Sequence, residues 1–177
     1  MIKIAILSVG DELVTGQTVD TNSAYLSREC GRIGARVIAH HTVGDDQRAI
    51  ESAIRQLSTS ADVLIVSGGI GPTDDDLTRQ ALAGVMGATL ELNDAWLARL
   101  IDFWRLRGRR MPEMNRIQAM IPRGAILIEN TAGTAAGIRA MLDDRCDVFV
   151  VPGVPKEMQV KFDASVLPAI RDRCGGA

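Results

Sequence analysis

Hydrophobic runs and segments of helical period alternate along the first half of the chain. A parallel strand that is covered on both faces is nearly continuously apolar, and three runs have this character: 2–9, 36–43 and 62–66. Apolar residues spaced three or four positions apart predict helices after each of them, at 21–34, 46–59 and 76–86. This alternation is typical of a mostly parallel sheet with helices on both of its faces.

The second half of the chain is less regular. Apolar spacing predicts a helix at 94–107, another short helix at 113–121 and a last helix from about Pro155 to Ile170. Strands are predicted at 125–128, 137–142 and 147–151. Asp20 and Asp94 stand where helix caps or turns are expected. The chain has 177 residues and no internal repeat or linker, so we expect one domain over residues 1–177.

Composition and charge exclude several classes of partner. A net charge of −2 favours neither nucleic acid nor an anionic membrane surface. No apolar run approaches the roughly 18–20 residues that span a bilayer. The first apolar run is interrupted by Asp11 and Glu12, which is not typical of a signal peptide. Three cysteines without metal-ligand spacing are typical of free thiols in a reducing compartment, so we expect a cytoplasmic protein.

Acidic residues follow each of the three predicted strands of the first half. Seven of the 22 acidic side chains lie in these segments, which are Gly10-Asp11-Glu12, Gly44-Asp45-Asp46 and Asp74-Asp75-Asp76. In open parallel sheets, ligands bind beyond the carboxyl ends of the strands. Carboxylates that converge there repel one another, and a divalent cation, magnesium above all, resolves that conflict and attracts phosphate oxygens. The pattern therefore predicts a metal site that handles a phosphorylated ligand.

Small residues in three loops predict close approach of the backbone to phosphate. The loop after the third strand contains Gly68, Gly69, Gly71 and Thr73. Later segments of the same character are Asn130–Gly137 and Pro152–Glu157, and the second of these opens a helix whose N-terminus attracts anions. Neither G-x-x-x-x-G-K-[ST] nor G-x-G-x-x-G is present, which argues against a P-loop nucleotidase and an ordinary dinucleotide-binding domain.

Structural explanations exist for each of these features taken alone. A single acid after a strand is often only a helix cap or a turn residue. The segment 130–137 is also compatible with a plain hairpin connection. His40 and His41 fall within a predicted strand, where structural roles are more common than catalysis. The joint occurrence of acids at three strand ends is what favours a site.

Five motifs in order resemble the molybdopterin-binding domain family, and within it the N-terminal domain of competence/damage-inducible CinA proteins. They are GDELVTGQTVDTN at 10–22, VGDD at 43–46, GGIGPTDDDLT at 68–78, NTAGTAAG at 130–137 and PGVPKEM at 152–158. The resemblance covers nearly the whole chain. It implies a three-layer α/β fold in a homo-oligomer, a dimer or a trimer, with a pterin- or nucleotide-phosphate-binding cleft at the strand ends.

The resemblance also implies roles for individual residues. Two aspartates that are central in the adenylyltransferase branch correspond to Asp45 and Asp76, which we expect to be catalytic. The expected metal ligands are Asp11, Asp45, Asp75 and Asp76. The expected substrate-binding residues are Gly10, Asn22, Gly68, Gly69, Gly71, Thr73, Asn130, Gly133, Thr134, Gly153, Pro155 and Glu157. The expected cofactor is a divalent metal, most simply magnesium, with potassium as a second ion.

Three functions fit the resemblance. The first is metal-dependent hydrolysis of the pyrophosphate in a nucleoside-diphosphate sugar such as ADP-ribose, which is associated with the CinA-like branch. The second is molybdopterin binding with adenylyl transfer in molybdenum cofactor biosynthesis. The third is a catalytically silent binding module. The GDEL and PGVPKEM segments match the CinA pattern better than the transferases, which favours the first.

Overall fold

A six-stranded sheet forms the centre of the computed structural model, which describes residues 1–175. Its strands lie in the order β2-β1-β3-β8-β7-β6, and a separate two-stranded sheet pairs β4 with β5. The strands are β1 Lys3–Val9, β2 Arg36–Val43, β3 Val63–Ser67, β4 Leu90–Leu92, β5 Met120–Pro122, β6 Ile126–Ile128, β7 Gly137–Leu142 and β8 Cys146–Val151.

Strand directions in the central sheet agree with the predicted fold class. β2, β1, β3 and β8 pair in parallel. β7 is antiparallel to both β8 and β6, so it alone runs against the other five strands. The sheet is therefore mostly parallel, and the first three predicted strands are neighbours whose carboxyl ends meet at one edge.

Within residues 1–175, seven α-helices accompany the strands, and side-chain caps fix where several of them begin. The helices are α1 Asp11–Val14, α2 Thr21–Arg32, α3 Gln47–Ser58, α4 Thr78–Met86, α5 Asp94–Arg105, α6 Pro155–Lys161 and α7 Leu167–Arg173. Asp20 caps α2 by accepting from Ser23 N, as predicted. The prediction of Asp94 as a cap is wrong: Asn93 accepts from Trp96 N, and Asp94 is already the first helical residue.

The two faces of the central sheet are covered by different helices. Alternate residues of β1 point to opposite sides, so Ala5 and Leu7 pack with α3 and α4, whereas Ile4 and Ile6 pack with α2 and α6–α7. Fully buried side chains occupy both interfaces. The three-layer arrangement with helices on both faces is confirmed.

The region between α4 and β6 departs most from the sequence prediction. The short helix predicted at 113–121 is a 3₁₀ helix over Glu113–Ala119, followed by β5. The β4–β5 pair is too short to give a recognisable period, because each of its strands has three residues. Trp96 and Leu100 of α5 pack with Ala119 and Ala136 to form a small separate core.

Other helix bounds are close to the predicted ones. The helix predicted from residue 76 begins at Thr78, because Asp76 is held in a turn by Thr73. The predicted last helix is divided by a π-helical segment over Phe162–Val166 and ends at Arg173. Within residues 1–175, no helix has the length and apolar character needed to cross a membrane.

Candidate functional site

A cleft of about 410 Å³ opens at the edge of the sheet where β1, β3 and β8 end. Parallel pairing brings the segments after these strands together, which places Gly10, Gly68 and Gly153 in its wall. Five carboxylates line the same cleft: Glu12, Asp45, Asp75 and Asp76 from the loops after β1, β2 and β3, and Glu157 from α6. Because these strand ends are adjacent, the glycine loop and the acidic residues lie in the same cleft.

The glycine loop after β3 requires a positive φ, a backbone conformation that residues with a side chain rarely adopt. Gly68 has φ of 104°, and a Cβ there would lie 2.4 Å from the carbonyl oxygen of Val9. Thr78, the first residue of α4, closes the loop: its Oγ1 donates to the Gly68 carbonyl at 2.9 Å and its N–H donates to the Gly69 carbonyl at 3.0 Å. The loop is therefore a fixed turn that holds its backbone against the cleft.

A buried guanidinium supports this loop from inside the protein. Arg79 is 1% exposed, and its Nη2 donates to the carbonyl of Ile70 at 2.8 Å. Burial lowers the pKa of Arg79 to about 10, while the charge of Asp76 acts in the opposite direction. Its Nη1 has no hydrogen-bond partner within residues 1–175. This residue was not predicted from the sequence, because an arginine on a helix is usually solvated.

The Asp76 carboxylate is held at the mouth of the loop by a tight turn. Its Oδ2 accepts from the Thr73 N–H at 2.9 Å and from the Thr73 hydroxyl at 2.5 Å. The carboxylate also packs against Gly71, where a Cβ would lie 2.6 Å from Oδ2. Both bonds engage the same oxygen, so Oδ1 has no protein donor among the described residues and is available to a ligand or cation.

The loops after β1 and β2 hold each other through two aspartates. The Asp11 N–H donates to Asp45 Oδ2 at 3.1 Å, and the Asp45 N–H donates to Asp11 Oδ1 at 3.0 Å. Burial raises the pKa of Asp45, and the charges of Asp11, Glu12 and Asp75 raise it further, against a backbone hydrogen bond that lowers it. The raised pKa thus reflects burial first and the neighbouring carboxylates second.

The donor set at this edge fits a hard divalent cation in its chemistry. Within residues 1–175, no three carboxylate, imidazole or thiol side chains are grouped closely enough to hold a metal by themselves. Magnesium usually keeps several waters and binds through one or two carboxylates together with substrate phosphates. Asp45, Asp75 and Asp76 offer such carboxylates in the cleft, whereas Asp11 lies outside its lining and orients Asp45.

The opposite wall of the cleft is organised by Asn130. Its Nδ2 donates to the Ala135 carbonyl and to Glu157 Oε2, both at 2.9 Å, and its Oδ1 accepts from the N–H groups of Ala132 and Gly133. The Glu157 carboxylate lies against Gly133, where a Cβ would come within 2.1 Å of it. This loop is therefore fixed by Asn130, which presents Thr134 and Glu157 to the cleft.

A buried lysine supports that wall from the side of α6. The Lys161 ammonium donates to the carbonyls of Ile128 and Glu129. Burial lowers the pKa of Lys161 to about 8, although Glu157 and Glu129 favour its charged form. A cation inside the protein thus holds the strand that leads into the Asn130 loop.

Most of the residues predicted for the site surround this cleft. Those that line it are Gly10, Asp45, Gly68, Gly69, Gly71, Thr73, Asp75, Asp76, Thr134, Gly153 and Glu157. Asn130 and Gly133 lie behind Thr134, while Asn22 and Pro155 line an adjacent cavity. Gln118 of the 3₁₀ helix also lines the cleft, and no sequence signal indicated it. The roles given to these residues stay predictions.

Comparison with known proteins agrees with this architecture. A family model described as "Probable molybdopterin binding domain" matches residues 5–172. A CinA-like protein of Geobacter sulfurreducens is 45% identical over 174 residues, which are 98% of this chain and 42% of that protein. A CinA-like protein of Escherichia coli O9:H4 is 43% identical over 98% of this chain and 43% of its own length. The chain spans less than half the length of these curated relatives.

Solved structures show the same fold. The protein CinA of Thermoplasma acidophilum superposes with a TM-score of 0.84 at 32% identity, covering 92% of this chain and 94% of that one. MoaB of Thermus thermophilus, a molybdopterin biosynthesis enzyme, gives a TM-score of 0.63 at 20% identity over 100% and 98% of the two chains. The latter likeness concerns the fold alone. The chain belongs to the molybdopterin-binding domain family and is similar over nearly its whole length to CinA-like proteins.

Proposed function

We propose that the cleft binds a nucleoside-diphosphate sugar of the ADP-ribose class and hydrolyses its pyrophosphate with a divalent metal. The observation that carries the proposal is the meeting of Asp45, Asp75 and Asp76 with the glycine loop in one cleft. Fixed backbone next to carboxylates that share the cleft with no lysine or arginine in its described lining suits a ligand that brings phosphates and a cation together. A divalent cation supplies positive charge that stabilises the developing charge on phosphate oxygens.

The reaction adds one water across one P–O bond of the P–O–P bridge. One phosphate gains the hydroxyl of water and the other leaves with the proton, so ADP-ribose gives AMP and ribose 5-phosphate. With Asp75 and Asp76 offered to the cation, Asp45 is the aspartate of the cleft that is left to accept that proton. Asp76, fixed by Thr73 through Oδ2, keeps Oδ1 without a protein donor among the described residues.

Molybdopterin binding with adenylyl transfer is the second candidate, because the chain belongs to a family described by that ligand. It uses the same cleft and the same aspartates. The two reactions differ in their acceptor, which is water in hydrolysis and the molybdopterin phosphate in transfer. A purified protein that binds these ligands without turnover would instead be a silent binding module.

One assay separates these functions. The protein is incubated with magnesium or cobalt, and potassium, together with ADP-ribose, NAD, flavin adenine dinucleotide, or ATP plus molybdopterin. The proposal expects AMP and ribose 5-phosphate in equal amounts from ADP-ribose. Pyrophosphate and adenylylated molybdopterin from the last mixture would favour transfer. Absence of product from every mixture with both metals would overturn both enzymatic functions.

A further inference from the structure

A second cavity of about 290 Å³ adjoins the cleft between the segment after α1 and the loop that follows β8. The two spaces share four lining residues, which are Val9, Glu12, Gly153 and Val154. They therefore adjoin each other at the ends of β1 and β8. A ligand whose phosphates lie beside the glycine loop can extend its next group into this cavity.

Asn22 gives the cavity a polar group that no protein atom satisfies. The side chain is 8% exposed, and its Nδ2 donates to Ser67 Oγ at 3.0 Å and to the Gly153 carbonyl at 2.8 Å. The Gly153 carbonyl can only accept, so the Asn22 atom that faces it must be the nitrogen Nδ2. The amide oxygen Oδ1 therefore points away from that carbonyl. Asn22 Oδ1 is buried and has no hydrogen-bond partner within residues 1–175. Such an acceptor is satisfied by an ordered water in the cavity or by a hydroxyl of a ligand that displaces it.

The rest of the lining indicates what kind of ligand supplies that donor. Ser8, Thr18 and Thr21 line it together with Glu12 and Asp20, whose Oδ2 accepts from the Ser8 hydroxyl at 2.5 Å, and no lysine or arginine is among these lining residues of the described chain. Two carboxylates without a cation repel phosphate. The lining also contains no aromatic ring on which a base would stack. A neutral group rich in hydroxyls, which both donate and accept, fits best.

We propose that this cavity holds the pentose at the end of the substrate away from the nucleoside. Its hydroxyls donate to Asn22 Oδ1 and to the Glu12 carboxylate, while the pyrophosphate stays in the cleft. The inference rests on the proposed function and adds the determinant of sugar specificity. Asn22, predicted only as a substrate-binding residue, thereby receives a defined partner.

The test compares two ligands that share the nucleoside and the methylene-bridged diphosphate; the terminal sugar is present in one and replaced by a free, additionally charged oxygen in the other. Affinities of the α,β-methylene analogues of ADP and of ADP-ribose are measured by calorimetry with magnesium, so that no cleavage occurs. We expect the ADP-ribose analogue to bind about fivefold or more tightly, which corresponds to one or two hydrogen bonds. Val19→Trp, which fills the rim of the cavity, should abolish that preference and leave the affinity for the ADP analogue unchanged.

Val14→Trp is the matched control, because Val14 is exposed in the same segment but lies outside the cavity. Thr18→Val removes one lining hydroxyl and should reduce the preference without lowering the melting temperature. Equal affinities for the two analogues in the unchanged protein, or equal loss for both in Val19→Trp, would overturn the inference. Failure of the proposed hydrolysis would appear separately, as an intact sugar preference without AMP release from ADP-ribose.

Discussion

The two walls of the cleft differ in how their polar groups are satisfied. The acidic wall, formed by residues 10–12, 44–46 and 73–76, places carboxylates together at a partly exposed edge and raises the pKa of Asp45. The Asn130 wall, formed by residues 130–137 and 152–157, is centred on a side chain that is 5% exposed and takes part in four hydrogen bonds. One wall accumulates charge, and the other satisfies its polar groups.

This contrast separates what serves the ligand from what serves the fold. Repulsion among carboxylates destabilises the unliganded protein, and under the proposed function a bound cation with phosphates would relieve it. A buried, fully paired amide stabilises its loop whether or not a ligand is present. Substitutions in the acidic wall should therefore affect turnover more than stability, and substitutions in the Asn130 wall should do the reverse.

The largest effect is expected at Asp76. Asp76→Asn keeps an oxygen that accepts from Thr73, so the turn is preserved, but it removes the charge that faces the cleft. We expect turnover to fall by about 10²–10³-fold at an unchanged melting temperature. Asp74→Asn removes the same charge from an exposed neighbour outside the cleft and should have little effect on turnover. Equal rates for the two variants would contradict the assignment.

Asn130→Ala probes the other wall. It leaves the Ala135 carbonyl and two backbone N–H groups without their partner, which should cost about 2–3 kcal/mol of unfolding free energy. Urea unfolding measures this cost, with exposed Thr131→Ala as the control within the same loop. A variant with normal stability and no turnover would place Asn130 among the groups that act on the ligand, and the contrast between the walls would fail.

A smaller effect on ligand binding is expected at Arg79. Arg79→Met removes the donor to the Ile70 carbonyl and lets the glycine loop shift, while exchange of a buried charge for an apolar chain changes stability little. We expect KM to rise about tenfold with a smaller change in kcat. Arg79→Lys, which keeps a donor, should recover part of the loss. An unchanged KM in Arg79→Met would show that the hydrogen bond from Arg79 to Ile70 is not needed to hold the glycine loop for ligand binding.

The smallest effect is a gain of stability at Asp45. Asp45 binds its proton more tightly in the fold than in the unfolded chain, so its contribution to stability is fully present below the unfolded pKa and is lost as pH rises through the folded pKa. Asp45→Asn should therefore unfold at a slightly higher temperature than the parent at pH 7. The difference should disappear near pH 4. A variant that is less stable than the parent at pH 7 would argue against repulsion in the acidic wall.

The sequence predicted the acidic wall better than the parts that support it. Parallel strands have a strong apolar signature, and their order brings the acids of residues 11, 45 and 76 to one edge. Arg79 and Gln118 escaped prediction, because their burial follows from packing between elements that are distant in sequence. The β4–β5 sheet was missed because its strands have three residues each, which is too few to display a period.

The Asn130 wall was predicted only in part. Its glycines and small polar residues were visible in the sequence, and the family resemblance assigned them to substrate. The structure shows that Asn130 bonds to its own loop and to Glu157, a contact that joins residues 27 positions apart. No local pattern contains that information, so the division between supporting and ligand-facing residues emerges only in three dimensions.

The central claim is that the acidic wall and the glycine loop act together on a pyrophosphate through a divalent cation. Its most direct test is the release of AMP from ADP-ribose over a magnesium titration that begins from chelator-treated protein. We predict no AMP without the metal, and AMP in equal amounts with ribose 5-phosphate as magnesium is added. Release at the same rate in the presence of excess chelator, or no release at any magnesium concentration while ADP-ribose binds, would contradict the account.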